Sequence, residues 1–129
     1  MGNDPNDLEY NPSNKYVYVA NLDSHDVSVI NGNTNAVINT IDVGDYPSDL
    51  EYNPSNGFIY VAHFPSGEIT VISGITVIKS LDAGSTANKL EYNPSNKHMY
   101  VANSYSDNVS VIGTILIQLP VSNTTSDLK

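Results

Sequence analysis

One segment of this chain is written three times. Leu8-Glu9-Tyr10-Asn11-Pro12-Ser13-Asn14 runs straight into Lys15-Tyr16-Val17-Tyr18-Val19-Ala20-Asn21, and it returns from Leu50 and again from Leu90 with Glu-Tyr-Asn-Pro-Ser-Asn intact. A repeat constrains the fold more tightly than composition does. Each copy must form the same small unit and bury its apolar surface against the next one. The copies are spaced 42 and then 40 residues apart, room for one supersecondary unit each.

In the first unit, Leu8 to Asn11 predicts a short strand, stopped by Asn11-Pro12-Ser13-Asn14. That tetrapeptide is turn chemistry: Pro presets φ, while Asn and Ser hydrogen-bond their own backbone. Tyr16 to Ala20, β-branched and aromatic, predicts a second strand, and Val27 to Ile30 a third. Asn31 to Asn35 is a turn with an Asn-Gly signal, and Ala36 to Val43 a fourth strand closed by Gly44. Between units only the third hairpin shortens, from six residues (Asn31 to Ala36) to four (Ser73 to Thr76) to two (Gly113-Thr114). Gly opening a two-residue loop suits a type II′ turn, so the strands are expected to survive. No helix is expected.

Tyr16 to Ala20 and Ile115 to Leu119 are apolar at consecutive positions, a pattern that calls for cover on both faces of the sheet. Four-stranded antiparallel sheets at a period near 40, covered on both faces, are the blades of a β-propeller. The expected architecture is therefore all-β: one propeller segment over residues 1–129, with three blades at about 5–46, 47–86 and 87–124, half or a fragment of a larger propeller.

Asn-Pro-Ser-Asn, then Tyr-Val-Ala-Asn, then Val-Ser-Val-Ile and a Thr-Asn-rich turn resemble the YVTN-type β-propeller repeat of archaeal and bacterial surface-layer and other cell-surface proteins. The resemblance covers essentially the whole chain and implies an extracellular or cell-surface setting. It implies fold more than activity, because propellers host many unrelated functions. That family usually has a small residue where this chain has Glu9, Glu51 and Glu91.

A propeller has at least four blades, so three leave two open ends, each a bare sheet face of about 300 Å². Joining such ends contributes on the order of 10 kcal/mol before association costs. Two accounts follow. Two chains pair head to tail as a homodimer that closes a six-bladed ring, or the missing blades belong to a longer parent chain. Thr125-Ser126-Asp127-Leu128 matches Pro47-Ser48-Asp49-Leu50 and reads as the start of a fourth unit. Ile115 to Leu119, without charge or Pro, is an edge open to unwanted pairing.

Charge narrows the partners. Five Lys, no Arg and fourteen acids give a net charge of -9, which repels phosphate backbones and disfavours nucleic acid. The absence of cysteine excludes disulfides and thiolate chemistry. No apolar run is long enough to span a membrane, and the N-terminus lacks the pattern of a signal peptide. Asp23, Asp26, Asp45, Glu68 and Asp107 fall on the rim that carries the loop after strand two and the crossover between blades; Asp7 and Asp49 fall at strand ends there. Lys15 and Lys97 fall on the opposite rim. The acidic rim reads as a contact face for Ca²⁺ or a basic partner, or simply as a solubilising surface. Tyr46, Phe64 and Tyr105 lie in the same loops as anchors for a protein or carbohydrate partner, or as packing beneath the loops.

Glu9, Glu51 and Glu91 sit in the innermost strand and would ring a central channel, as a metal site or as solvated carboxylates. His25, His63 and His98 occupy different places in their units and are not expected to converge. Asn108-Val109-Ser110 and Asn123-Thr124-Thr125 fit the N-glycosylation pattern, with Asn108 expected in a loop. No Gly-x-Ser-x-Gly elbow is present. Some propeller lactonases carry similar repeats, but such sites commonly use Arg. The expected function is a non-enzymatic cell-surface or surface-layer-like interaction module. The alternative is a lactonase-like metal-dependent hydrolase with its metal held by the repeated Glu.

Overall fold

The structure, a computed structural model, describes residues 2–113 and 116–120. Its strands form three four-stranded antiparallel sheets, each in sequence order. The first blade is β1 (Pro5–Asn11), β2 (Tyr16–Asn21), β3 (Asp26–Asn31) and β4 (Ala36–Asp42). The second is β5 (Pro47–Asn53), β6 (Phe58–His63), β7 (Glu68–Ser73) and β8 (Thr76–Asp82). The third is β9 (Ala87–Asn93), β10 (His98–Asn103), β11 (Asn108–Ile112) and β12 (Leu116–Pro120). This is a three-bladed arc of a β-propeller, as the repeat predicts.

The first strand of each of the first two blades begins three residues before its apolar pattern does, at Pro5 and Pro47. A bulge allows the extension: Pro5 pairs with Asn21 and Asp7 with Ala20, leaving Asn6 as the extra residue. The Asn-Pro-Ser-Asn segments are turns for the reason expected. Asn11 Oδ1 accepts the Ser13 N–H at 2.9 Å and Asn14 Oδ1 the Tyr16 N–H at 2.9 Å, and both other copies repeat the pair. The Asn-Gly signal works differently. The left-handed residue of the β3–β4 turn is Asn35 (φ 60°), whereas Gly32 is required because a Cβ there would lie 2.5 Å from the Lys15 carbonyl. The described part of β12 runs from Leu116, which is paired with Ile112. Thr114, Ile115 and the predicted fourth-unit start lie outside the described residues.

The core lies between blades. Tyr18, Ala20, Val27, Val29 and Val43 of the first blade pack on Leu50, Ile59, Val61 and Ile72 of the second. One blade on, Tyr60, Ala62, Ile69 and Val71 pack on Leu90, Met99, Val101 and Ile112. Each fully buried side chain of this size contributes roughly 1.5–3 kcal/mol. β2 and β6 are covered on both faces as their composition predicts, but the outer strands β4 and β8 are largely exposed and have only an edge in the stack. The arc's ends are partly uncovered: Leu8 is 64 % exposed, while its repeat counterparts Leu50 and Leu90 are 3 % and 4 % exposed, although Val19 and Val111 on the two end faces are buried.

Candidate functional site

Two features stand out, one along the inner edge of the arc and one on its acidic rim. β1, β5 and β9 each pair with a single strand, which leaves a row of inward N–H groups needing acceptors. Acids alternate with Leu and Tyr in these strands, so they point toward the following blade while Leu and Tyr point toward the preceding one. Asp7 Oδ2 accepts the Leu50 N–H at 2.8 Å and Glu9 Oε2 the Tyr52 N–H at 2.8 Å. One blade further, Asp49 Oδ2 accepts the Leu90 N–H at 2.7 Å and Glu51 Oε2 the Tyr92 N–H at 3.1 Å. Each blade thus caps the free edge of the next with two carboxylates.

This changes the reading of the inner glutamates. Glu9 and Glu51 each commit one oxygen to backbone, and no group of three His, Cys, Asp or Glu side chains set to hold a metal occurs among the described residues. Asp7 and Asp49, expected at strand ends, belong to the same ladder. Burial pushes the Glu51 carboxyl up to about 7, against the lowering effect of the Tyr92 N–H and with the help of repulsion from Glu9, Glu91 and Asp49. Burial likewise raises Asp49 to about 6, opposed by the Leu90 N–H and Lys89 and reinforced by the neighbouring Asp7 carboxyl. Glu9 is raised for the same first reason, desolvation. The third blade breaks the pattern. Lys89 replaces the Asp and lies 3.6 Å from Asp49 Oδ1, and Glu91 is exposed at the open end.

On the rim, Tyr46 and Phe64 come together and Tyr105 does not. His25 and Tyr46 both adopt left-handed backbone (φ 60° and 52°). The Tyr46 N–H donates to His25 Nδ1 at 3.1 Å, and the two rings meet edge to face at 4.7 Å. The Phe64 N–H donates to the Tyr46 carbonyl at 3.2 Å, drawing the second blade's loop onto the crossover. With Leu22 and Pro65, these aromatics line an open apolar cleft of about 250 Å³ at the first inter-blade junction. Asp23 and Asp45, both exposed, sit beside Leu22 and Tyr46 in the chain. Thr86 stands at the repeat position of Tyr46 and is 2 % exposed, whereas Tyr105 is 76 % exposed in the third blade's loop.

The other rim candidates divide. Asp26 Oδ1 accepts the buried Asn21 Nδ2 at 2.8 Å, and Glu68 accepts the Ser80 hydroxyl, so both hold their own blade together. Asp107 remains an exposed loop residue with φ 54°. Asn108 opens β11 rather than lying in a loop, and its Oδ1 accepts from Asn103 Nδ2 at 2.8 Å and Ser106 Oγ at 3.1 Å. Asn123 lies outside the described residues.

His25, His63 and His98 sit in a rim loop, inside the second blade and at the start of β10. His63 is fully buried, with Nδ1 donating to the Asp45 carbonyl at 2.9 Å and Nε2 2.8 Å from Thr70 Oγ1; desolvation lowers its pKa. The hairpin shortening also has an effect. Tyr18 Oη donates to the Gly74 carbonyl at 2.7 Å across the first junction. At the second junction the shorter hairpin leaves Tyr60 facing a polar cleft of about 290 Å³ lined in part by Asn53, Asn96, Lys97 and His98.

No family model and no curated protein matches the chain. Solved structures do match. The chain is similar to Kuenenia stuttgartiensis hydrazine synthase at TM-score 0.77 and 23 % identity, over 86 % of this chain and 33 % of that one. It is similar to the Myceliophteria thermophila Cps50 (Swd1) β-propeller domain at TM-score 0.75 and 10 % identity, over 99 % of this chain and 43 % of that one. A chain of the mitotic checkpoint complex matches at TM-score 0.74 and 15 % identity, over 91 % and 39 % respectively. At these identities the likeness is one of fold. The chain spans between a third and under half of the length of these proteins, so it is an arc of a larger ring that needs further blades.

Proposed function

We propose that this chain is a non-enzymatic interaction module of the YVTN-type, surface-layer-like class, acting at the cell surface or outside the cell. Two copies join head to tail into a six-bladed ring whose acidic rim is the contact face. The observation that carries the reading is the pair of open ends. Leu8, Tyr10, Val17, Val19 and Ile30 form on the first blade the face that Leu50, Tyr52, Ile59, Val61 and Ile72 bury on the second. Tyr100, Ala102, Val109 and Val111 repeat on the third blade the face that Tyr60, Ala62, Ile69 and Val71 bury. The two apolar faces therefore match in the way the internal junctions do, although Lys89 stands where the internal junctions have a capping Asp. Glu91 supports the same reading, because it holds the position from which Glu51 caps Tyr92 and would cap Tyr10 of a second copy.

Light scattering on the purified chain tests the ring. A mass twice the 13.9 kDa of one chain is expected, falling to 13.9 kDa in Leu8→Asp with the blades still folded. A folded wild-type monomer at micromolar concentration would refute ring closure by a second copy and leave the blades to be supplied by a longer parent chain.

A further inference from the structure

The rim cleft has a chemistry that selects its occupant. Its walls, Leu22, Tyr46, Phe64 and Pro65, come from three separate loops: the β2–β3 turn, the β4–β5 crossover and the β6–β7 turn. These loops are tied to one another, Phe64 N–H to the Tyr46 carbonyl at 3.2 Å and Tyr46 N–H to His25 Nδ1 at 3.1 Å, so the cleft exists before anything enters it. Tyr46 and Phe64 remain 43 % and 38 % exposed there, whereas Tyr18, Val27, Val29, Ile59 and Val61 of the same junction are fully buried. The lining offers almost no polar surface, which disfavours a sugar, since a sugar needs several hydrogen-bonding partners around its ring. The cleft is the size of one bulky side chain.

The surroundings supply the second half of the specification. Asp23 and Asp45 are exposed on the loops that form the cleft, and exposed Asp4 is joined to Leu22 through its carbonyl, which accepts the Leu22 N–H at 2.9 Å. Among the described residues the lysines lie elsewhere: Lys15 and Lys97 in the turns of the opposite rim, Lys79 and Lys89 within strands. A segment approaching this rim is steered by positive charge and anchored by an apolar side chain.

We propose that the cleft at the first junction binds a short peptide segment in which one aromatic or large aliphatic side chain is flanked by Lys or Arg. The proposal rests on the reading of the acidic rim as the contact face, and names what that face takes. Because all its walls lie within one chain, the site does not depend on ring closure.

The test uses the full chain and the probe acetyl-Lys-Lys-Trp-Leu-Lys-Lys-amide, read by tryptophan fluorescence and by amide shift mapping. Saturable binding is expected, with shifts concentrated at Leu22, Tyr46 and Phe64, and weakening as salt is raised. Phe64→Ala should lose at least tenfold in affinity and Asp23→Asn with Asp45→Asn about threefold or more, while Tyr105→Ala should match the wild type. An amide spectrum of Phe64→Ala that matches the wild type outside these three loops separates loss of the cleft from loss of the fold. Equal binding by Phe64→Ala, or by a probe with Glu in place of Lys, or by simple sugars at the same residues, would overturn the proposal. If the Lys probe still binds Phe64→Ala but is weakened by the Asp→Asn pair, the cleft is refuted and the acidic contact face stands. Failure to be retained on a polylysine matrix at low salt would refute the contact face as well.

Discussion

The inner-edge ladder makes a counterintuitive prediction: neutralising a carboxylate that accepts a well-formed hydrogen bond should stabilise this protein. Glu51 is the case to take. Its carboxylate accepts the Tyr92 N–H at 3.1 Å, an interaction that favours the ionised form, yet its pKa stands near 7 rather than 4.5. Desolvation and the repulsion of Glu9, Glu91 and Asp49 therefore outweigh the hydrogen bond. The sign follows. Between the unfolded value of 4.5 and the folded value of about 7, the folded state binds more protons than the unfolded state, so stability falls as pH rises through that window. A tenfold change in a protonation equilibrium is about 1.4 kcal/mol, which gives a gross cost of about 3 kcal/mol for ionised Glu51. The side chain is only half-buried, and solvent screening reduces the figure to on the order of 1 kcal/mol.

Glu51→Gln keeps an oxygen for the Tyr92 N–H and removes the charge. At pH 8 it should melt about 3–5 °C above the wild type, the shift expected from about 1 kcal/mol in a domain of this size. The gap should close toward pH 5, where Glu51 is protonated in the fold. Thermal melts of both proteins at half-unit steps of pH are the assay, and the difference between them cancels the contribution of His63, which runs the other way. A variant that melts below the wild type at pH 8, with a gap that does not narrow on acidification, would show that the charge-assisted bond to Tyr92 dominates.

Two further outcomes follow from the repeat. Tyr18→Phe should lose about 0.5–1.5 kcal/mol in denaturant melts because its hydroxyl donates to the Gly74 carbonyl, whereas Tyr60→Phe, facing the open cleft left by the shorter hairpin, should cost less. His63 is buried with its pKa lowered, so its neutral form contributes stability that is present above its ordinary value of 6.5 and lost as pH falls below it. His63→Asn, the residue that the other two blades carry at that position, should flatten the pH dependence of the melting temperature below about pH 6.5 once the carboxylates are allowed for.

The blade was legible because its determinants are local. Asn-Pro-Ser-Asn closes a turn through its own side chains, and β-branched and aromatic runs pair with their nearest neighbours in sequence. What depends on contact between blades was harder to read. Position alone marks Asp7 as a strand-end acid, yet it acts 43 residues away on Leu50. The signal was available: Asp7 and Glu9 alternate with Leu8 and Tyr10, so they share one face of β1, and the same alternation recurs at Asp49 and Glu51. Tyr46 and Phe64 each read as isolated loop aromatics, because nothing in the sequence says that a crossover and the next blade's β6–β7 turn touch. The Asn-Gly signal marks the β3–β4 turn but not its left-handed residue, which is Asn35, while Gly32 is held against the Lys15 carbonyl.

The ladder also gives the arc a direction. Carboxylates reach only forward, from β1 to β5 and from β5 to β9, so the two ends make unequal demands on whatever joins them. The end that presents Glu91 is permissive, since any strand offers backbone N–H groups. The end that presents Leu8 and Tyr10 is selective, because it is complete only when its neighbour brings acids at the right two-residue spacing. Lys89 in place of an Asp means that a second copy of this chain meets half of that demand. In the proposed ring, the junction between copies is then the one with the fewest caps.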